Sequence, residues 1–92
     1  MKNSIVCQTC HRRCAIHVSE RQGEGEDENL NLIGTHCFEA WAECPTHGWV
    51  SPRGDIRSWG PEVPMNEPLT DSHRREAMRG LRKIMAIQGV RT

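Results

Sequence analysis

Two short segments of the sequence carry the residue types that bind transition metals. Cys7 and Cys10 form a CxxC pair, and Cys44 and His47 form a CxxH pair that Gly48 follows. Two intervening residues let a tight turn direct both ligands at one cation, and a following glycine accepts the positive φ of such turns. Three thiolates and one imidazole make a tetrahedral donor set that suits zinc. The spacing therefore predicts a structural zinc site formed by these four residues.

Further cysteines and histidines leave other donor sets open. A rival set replaces His47 with Cys37, another uses Cys14, and a third interpretation has no metal at all. Free cysteine often behaves as a small buried apolar side chain, and this is the simplest role for the two remaining cysteines. The sequence leaves open the roles of Cys14, Cys37, His11, His17 and His36.

The same residues do not form a convincing catalytic pair. Cys10 precedes His11 and His36 precedes Cys37, but neighbouring residues on a strand point to opposite faces. A metal with four protein ligands has no open position for a substrate. The sequence also has no glycine-rich phosphate loop, HExxH pair or GxSxG turn. We therefore predict that the protein is not an enzyme and takes no small-molecule substrate.

The predicted zinc ligands need a scaffold that brings both turns together. Residues 15–18 and 30–33 are strand-like and flank the acidic stretch 20–28, which predicts a hairpin with an exposed acidic loop. Residues 35–44 fit both helical and strand periodicity, and four prolines within 52–68 predict irregular structure there. Asp71 or Ser72 is the predicted cap of an amphipathic helix that runs to about Gln88 and stops at Gly89.

The length fits one small domain over residues 1–92, and the predicted hairpin with its C-terminal amphipathic helix makes the expected fold class α+β. Only 36% of the 92 residues are hydrophobic, so the core is thin and needs a metal, disulfides or a partner. We divide the domain into a hairpin region at 1–51, a Pro/Gly-rich connector at 52–70 and a helix at 71–89. The sequence does not decide whether the connector is ordered in the free protein. No stretch is apolar enough for a signal peptide or a membrane span, which predicts a cytoplasmic protein that does not bind membranes.

Charge is sorted along the chain although the formal net charge is zero. Residues 20–71 hold eleven acids against three arginines, whereas residues 72–92 hold six bases against Glu76. An ordinary solvent-facing helix mixes both signs, so this excess of bases indicates a surface for phosphates or carboxylates. The predicted partner-binding or phosphate-binding residues are Arg74, Arg75, Arg79, Arg82 and Lys83, with Arg12 and Arg13 as an extension.

Two ligand turns joined by a hairpin resemble the zinc ribbon family. The resemblance covers roughly residues 5–50 and implies a small antiparallel sheet of about three strands that one structural zinc clamps. Two positions depart from the usual pattern, since His11 stands where glycine is common and His47 replaces the second cysteine of the second turn.

The whole chain resembles the small phage-encoded anti-CRISPR proteins that inhibit type I-F surveillance complexes. The features that carry the resemblance are the two metal-binding turns, the acidic run from Glu24 to Glu28 and the basic helix from Arg74 to Lys83. It implies binding to Cas proteins, with the guide RNA as a further contact, and steric blocking of target-DNA hybridisation in the host cytoplasm. The alternative is a nucleic-acid-binding regulator of the zinc ribbon type, which would bind naked DNA or RNA.

Overall fold

A computed structural model of the chain describes residues 4–51 and 54–90. The strands in these ranges are β1 (Ser4–Val6), β2 (Arg13–Glu26), β3 (Leu32–Cys44), β4 (Gly48–Trp49), β5 (Arg57–Trp59) and β6 (Val63–Pro64). One helix, α1 (Asp71–Ile87), follows them. All pairings among these strands are antiparallel, which with the helix confirms the α+β class.

The central strand of the sheet is β3. β2 pairs with one edge of β3 from Ile16 opposite Ala42 to Glu26 opposite Leu32, and β1 pairs with the far edge of β2. β4, β5 and β6 share the other edge of β3. The expectation of about three strands is therefore wrong, because the chain beyond Gly48 returns along β3 in three short pieces.

The proline-rich connector contributes to the sheet. We expected irregular structure at 52–68, but β5 and β6 lie within this range, and residues 52 and 53 lie outside the described residues. Pro64 pairs opposite Thr35 at the edge of the sheet, where a residue without an N–H is tolerated. The short strands β5 and β6 thus form backbone pairs with the edge of β3, although no single continuous strand runs along it.

The hairpin is longer than its sequence suggests, so the acidic stretch is mostly strand. Residues 20–26 belong to β2, and the turn is confined to 27–31. Backbone pairing prevails because the acidic side chains stay hydrated on the surface of the ribbon while their backbone groups pair with β3. The Asp27 carboxylate accepts hydrogen bonds from the backbone N–H groups of Asn31 and Asn29, both at 2.9 Å. These bonds, with that of Asn31 first, lower the pKa of Asp27.

The hydrophobic core lies between α1 and one face of the sheet. Ala40 and Ala42 of β3 offer small side chains to this core, so the helix approaches closely. Gly80 makes the approach possible at β5, because a Cβ there would overlap the Ser58 hydroxyl. The buried residues of α1 are Ala77, Met78, Leu81 and Met85.

The N-cap of α1 lies one residue before Asp71, the earlier of the two predicted caps. Thr70 is the N-cap: its hydroxyl accepts the His73 N–H at 3.4 Å, and its own N–H donates to His73 Nδ1 at 3.0 Å. This reciprocal pair is a capping box with histidine in the position usual for glutamate. The predicted stop is confirmed, since Gly89 has φ 79° beyond the last turn. The described residues contain no helix long and apolar enough to cross a membrane.

The opposite face of β3 holds a buried carboxylate. Glu39 is 2% exposed, and its oxygens contact Arg21 Nε of β2 at 3.2 Å and Arg57 Nη1 of β5 at 2.8 Å. Trp41, two residues further along β3, contacts the His17 ring at a centroid distance of 5.7 Å and the Arg57 guanidinium at 4.8 Å. Polar and cation–π contacts thus join three strands where no helix covers them.

We predict that Glu39→Gln lowers the free energy of unfolding by about 2 kcal/mol, because two guanidinium groups lose the anion that neutralises them. Urea denaturation at constant m measures the change. Asp55→Asn is the matched control: it removes a partly exposed carboxylate 2.7 Å from the same Arg57 and should cost less than about 1 kcal/mol. Equal losses in the two variants would contradict a special role for Glu39.

Candidate metal centre

The first ligand turn connects β1 to β2 and is closed by backbone hydrogen bonds. The Cys7 N–H donates to Arg12 O and the His11 N–H donates to Cys7 O, both at 2.9 Å. His11 adopts φ 60°, so histidine takes the left-handed conformation that glycine usually supplies after a CxxC pair. The Gln8 N–H donates to Val50 O at 2.9 Å and ties this turn to the chain after β4.

The second ligand turn connects β3 to β4. Cys44 pairs with Gly48, which has φ 78°. Burial raises the pKa of the Cys44 thiol, but hydrogen bonds from the His47 backbone, the His47 ring and the Thr46 backbone outweigh it and lower the pKa to about 6. The turn therefore favours the thiolate form of Cys44, which is the form that binds metals.

The two turns bring four donor atoms together. The Sγ atoms of Cys7, Cys10 and Cys44 and a ring nitrogen of His47 all lie within 4.8 Å of one another. Cys10 Sγ is 3.6 Å from Cys44 Sγ, and His47 Nδ1 is 3.5 Å from Cys44 Sγ and 3.9 Å from Cys7 Sγ. Donors placed tetrahedrally at zinc bond lengths lie about 3.4–3.8 Å apart. The Cys10–Cys44 and Cys44–His47 separations fall in this range and the Cys7–His47 separation is slightly longer, so the four predicted donors converge as a group that could bind one metal ion.

Burial differs among the four donors. Cys7 is 0% exposed and Cys44 is 2% exposed, whereas Cys10 and His47 face solvent. One side of the cluster therefore rests on the hydrophobic core, and the other side lies at the surface. A metal held by four protein ligands here would join β1, β2, β3 and β4 at one end of the sheet, which is the work of a structural site.

The two remaining cysteines differ in their position relative to the cluster of four donors. Cys37 lies on the face of β3 opposite to Cys44 and pairs with Arg21, so the rival donor set with Cys37 does not assemble. Cys14 lies near the cluster: its buried Sγ is 3.5 Å from Arg12 O. Burial first, and then Cys44 and the other neighbouring thiols, raise the pKa of Cys14 to about 11.

The remaining histidines named from the sequence lie outside the cluster. His17 stacks on Trp41 at one face of the sheet, and His36 Nε2 lies 2.6 Å from Glu67 O. His11 is the turn residue described above. None of the three belongs to the group of converging donors in the described part of the chain.

Most of the predicted basic residues are exposed. Arg74, Arg75, Arg79 and Lys83 are exposed on α1, and Arg12 and Arg13 are exposed near the first ligand turn. Arg13 Nη1 donates to Ser4 Oγ at 2.9 Å. Arg82 is half-buried, and its Nη1 is buried without a hydrogen-bond partner. Within residues 4–51 and 54–90 no base of α1 forms an ion pair.

No family model, curated protein or solved structure matches this chain. The resemblances to zinc ribbons and to anti-CRISPR proteins therefore stay predictions. Donor geometry alone carries the assignment of a candidate metal centre. Sequence reasoning missed the link from Gln8 to Val50, since a backbone hydrogen bond across 42 positions of the chain leaves no pattern in the side chains.

Cys44→Ser should release the metal and unfold the domain at 25 °C. A structural zinc contributes about 10 kcal/mol or more to folding, whereas a small domain is stable by only ~5 kcal/mol. Elemental analysis and circular dichroism measure the two effects. Cys37→Ser is the control, because it changes a buried thiol outside the cluster and should leave one bound metal ion per chain. A folded Cys44→Ser protein beside a metal-free wild type would refute the metal centre.

Gly48 and His11, the residues of the two ligand turns that have positive φ, predict opposite effects of substitution. Gly48→Ala should destabilise the metal-bound protein by about 1 kcal/mol from backbone strain, since a Cβ there would meet nothing within 4 Å. His11→Gly relieves the same strain and should be neutral or stabilising, by up to ~1 kcal/mol. Thermal unfolding of both variants tests this, and a destabilised His11→Gly would mean that the imidazole makes a contact of its own.

Proposed function

We propose that this protein is a zinc-stapled, non-enzymatic binding module that attaches to an anionic macromolecular surface through α1. The metal would hold the ligand turns at one end of the sheet, and the sheet would present the helix. The observation that carries the proposal is the set of unpaired bases on α1.

Zinc is the metal that this donor set favours. Thiolates exclude hard cations such as Mg²⁺ and Ca²⁺, and a tetrahedral mixture of sulfur and nitrogen suits Zn²⁺. Four protein ligands leave no position for a hydrolytic water, which supports a structural role and a protein that is not an enzyme. A small domain with so thin a hydrophobic core also needs a further source of stability, and a structural metal supplies one.

The basic residues of α1 form a stripe beside its buried face. Arg75, Arg79, Arg82 and Lys83 follow the i, i+4, i+7, i+8 spacing that places side chains on one side of a helix. Like charges at this spacing repel one another, so the stripe costs stability until an anion neutralises it. The buried Nη1 of Arg82 also has no hydrogen-bond partner. Guanidinium groups suit phosphates and carboxylates because they bind them with two parallel hydrogen bonds.

The resemblance to type I-F inhibitors names a candidate target, the Cas–guide RNA surveillance complex. Such a complex offers RNA phosphates framed by protein, so a short basic stripe suffices for docking, and the docked module would hinder hybridisation of target DNA in the host cytoplasm. The alternative is a regulator that binds naked nucleic acid. Against it stands the acidic ribbon of Glu20, Glu24 and Glu26 on the same small protein, which would repel a free polyanion.

Arg75→Glu with Arg79→Glu should abolish binding to the anionic partner and leave the fold intact, because both side chains are exposed and unpaired. Arg75→Lys with Arg79→Lys is the matched control: it keeps the charge but loses the paired hydrogen bonds of the guanidinium groups, so it should lose less affinity than the glutamate variant. Plaque formation by phage on a type I-F host that expresses each variant measures inhibition. Full inhibition by the glutamate variant would remove α1 from the mechanism.

A salt titration separates the two candidate functions. Binding to naked RNA and DNA oligonucleotides is followed by fluorescence anisotropy at increasing salt concentration. Submicromolar, sequence-independent binding at moderate salt favours the nucleic-acid regulator. Binding only to an assembled ribonucleoprotein favours the inhibitor.

A further inference from the structure

Cys14 lies at the metal cluster without belonging to its four converging donors. Residue Ile16 pairs with Ala42, and extending this register by two residues places Cys14 opposite Cys44. Both side chains belong to the face of the sheet that carries Ile16 and Ala42, so they project into the same core. Side chains opposite each other in an antiparallel pair have Cβ atoms about 5 Å apart.

A second strand also fixes the position of Cys14. Cys14 pairs with Ile5 of β1, two residues before the ligand Cys7. Cys14 is 3% exposed, so its thiol is enclosed beside two buried ligands, Cys7 and Cys44. Its Sγ donates weakly to Arg12 O at 3.5 Å and also lies within side-chain hydrogen-bonding range of the ligand Cys44. Nothing in these contacts holds the thiol away from the cluster.

His47 is the donor most open to replacement. It is the one nitrogen donor of the set, and its ring is exposed to solvent, whereas Cys7 and Cys44 are buried. Its loss would leave three thiolates around the metal and one vacant corner. A thiolate fills such a corner readily, because Cys₃His and Cys₄ are both common tetrahedral zinc sets.

We propose that Cys14 is a fifth donor of the metal centre, which replaces His47 and converts a Cys₃His set into a Cys₄ set. The exchange breaks the bond from the metal to the imidazole nitrogen and forms a bond from the metal to Cys14 Sγ, and the thiol proton passes to solvent. The metal keeps its charge and its oxidation state. Exchange of a ligand would let the site keep a thiophilic metal when a competing group captures the exposed histidine. This inference rests on the metal centre proposed above.

Cobalt substitution tests the exchange, because Co²⁺ occupies tetrahedral zinc sites and its thiolate charge-transfer absorption grows with the number of bound thiolates. The full-length wild type should show a three-thiolate spectrum with one nitrogen donor. His47→Ala should still bind Co²⁺, and its charge-transfer absorbance should rise by about one third, the ratio of four thiolates to three. His47→Ala with Cys14→Ala should return to three thiolates and bind Co²⁺ at least ~10-fold more weakly.

Two further measurements make the result specific. Added imidazole should shift the spectrum of the double variant, which has a vacant corner, and should leave that of His47→Ala unchanged. Cys14→Ala alone should keep the wild-type spectrum, and Cys37→Ala with His47→Ala is the matched control that should still show four thiolates.

The outcomes separate this inference from the metal centre itself. Wild-type Co²⁺ binding with a three-thiolate, imidazole-sensitive His47→Ala protein would overturn the role of Cys14 and leave the Cys₃His centre standing. Failure of His47→Ala to fold in excess Co²⁺ would also overturn it, since the fifth donor would not have rescued the site. A wild type that binds no Co²⁺ would overturn the metal centre and this inference together.

Discussion

The position of every metal donor depends on the register of the long hairpin, in which β2 and β3 pair from Ile16 opposite Ala42 to Glu26 opposite Leu32. Side chains alternate between the faces of a strand, so a slip of one residue would turn Cys44 away from the core side. In the observed register Cys44 ends β3 on the face that packs against α1. The turn before β2 then arrives beside it with Cys7 and Cys10, and the donors meet.

Two different faces of β3 maintain this register. On one face, the small side chains of Ala40 and Ala42 allow the helix to pack closely. A one-residue shift in register would bury polar side chains there instead, which is unfavourable. On the other face, Glu39 binds Arg21 and Arg57 from the strands on either side, so a slipped sheet would leave a buried carboxylate without cations. Apolar packing and a polar contact thus specify the same alignment, and the metal ligands lie at its end.

Much of the candidate site was predictable because its determinants are local. The CxxC and CxxH pairs place two donors on each turn by spacing alone, and the structure brings these four residues together. The helix and its terminal Gly89 were predictable for the same reason. The length of the hairpin was not, because pairing of backbone groups overrides the charge pattern of residues 20–26. Neither β5 nor β6 has a strand pattern in its own sequence. Each is a strand because its backbone pairs with the edge of β3 that β2 leaves free. The position of Cys14 beside Cys44 follows from the register of β2 against β3, and no local sequence pattern predicts that register.

X-ray absorption at the zinc edge of the purified full-length protein tests the central claim most directly. The account predicts one zinc ion per chain with three sulfur neighbours at about 2.3 Å and one nitrogen neighbour at about 2.0–2.1 Å. A protein that is folded without bound metal, or a zinc ion surrounded only by oxygen and nitrogen, would contradict it.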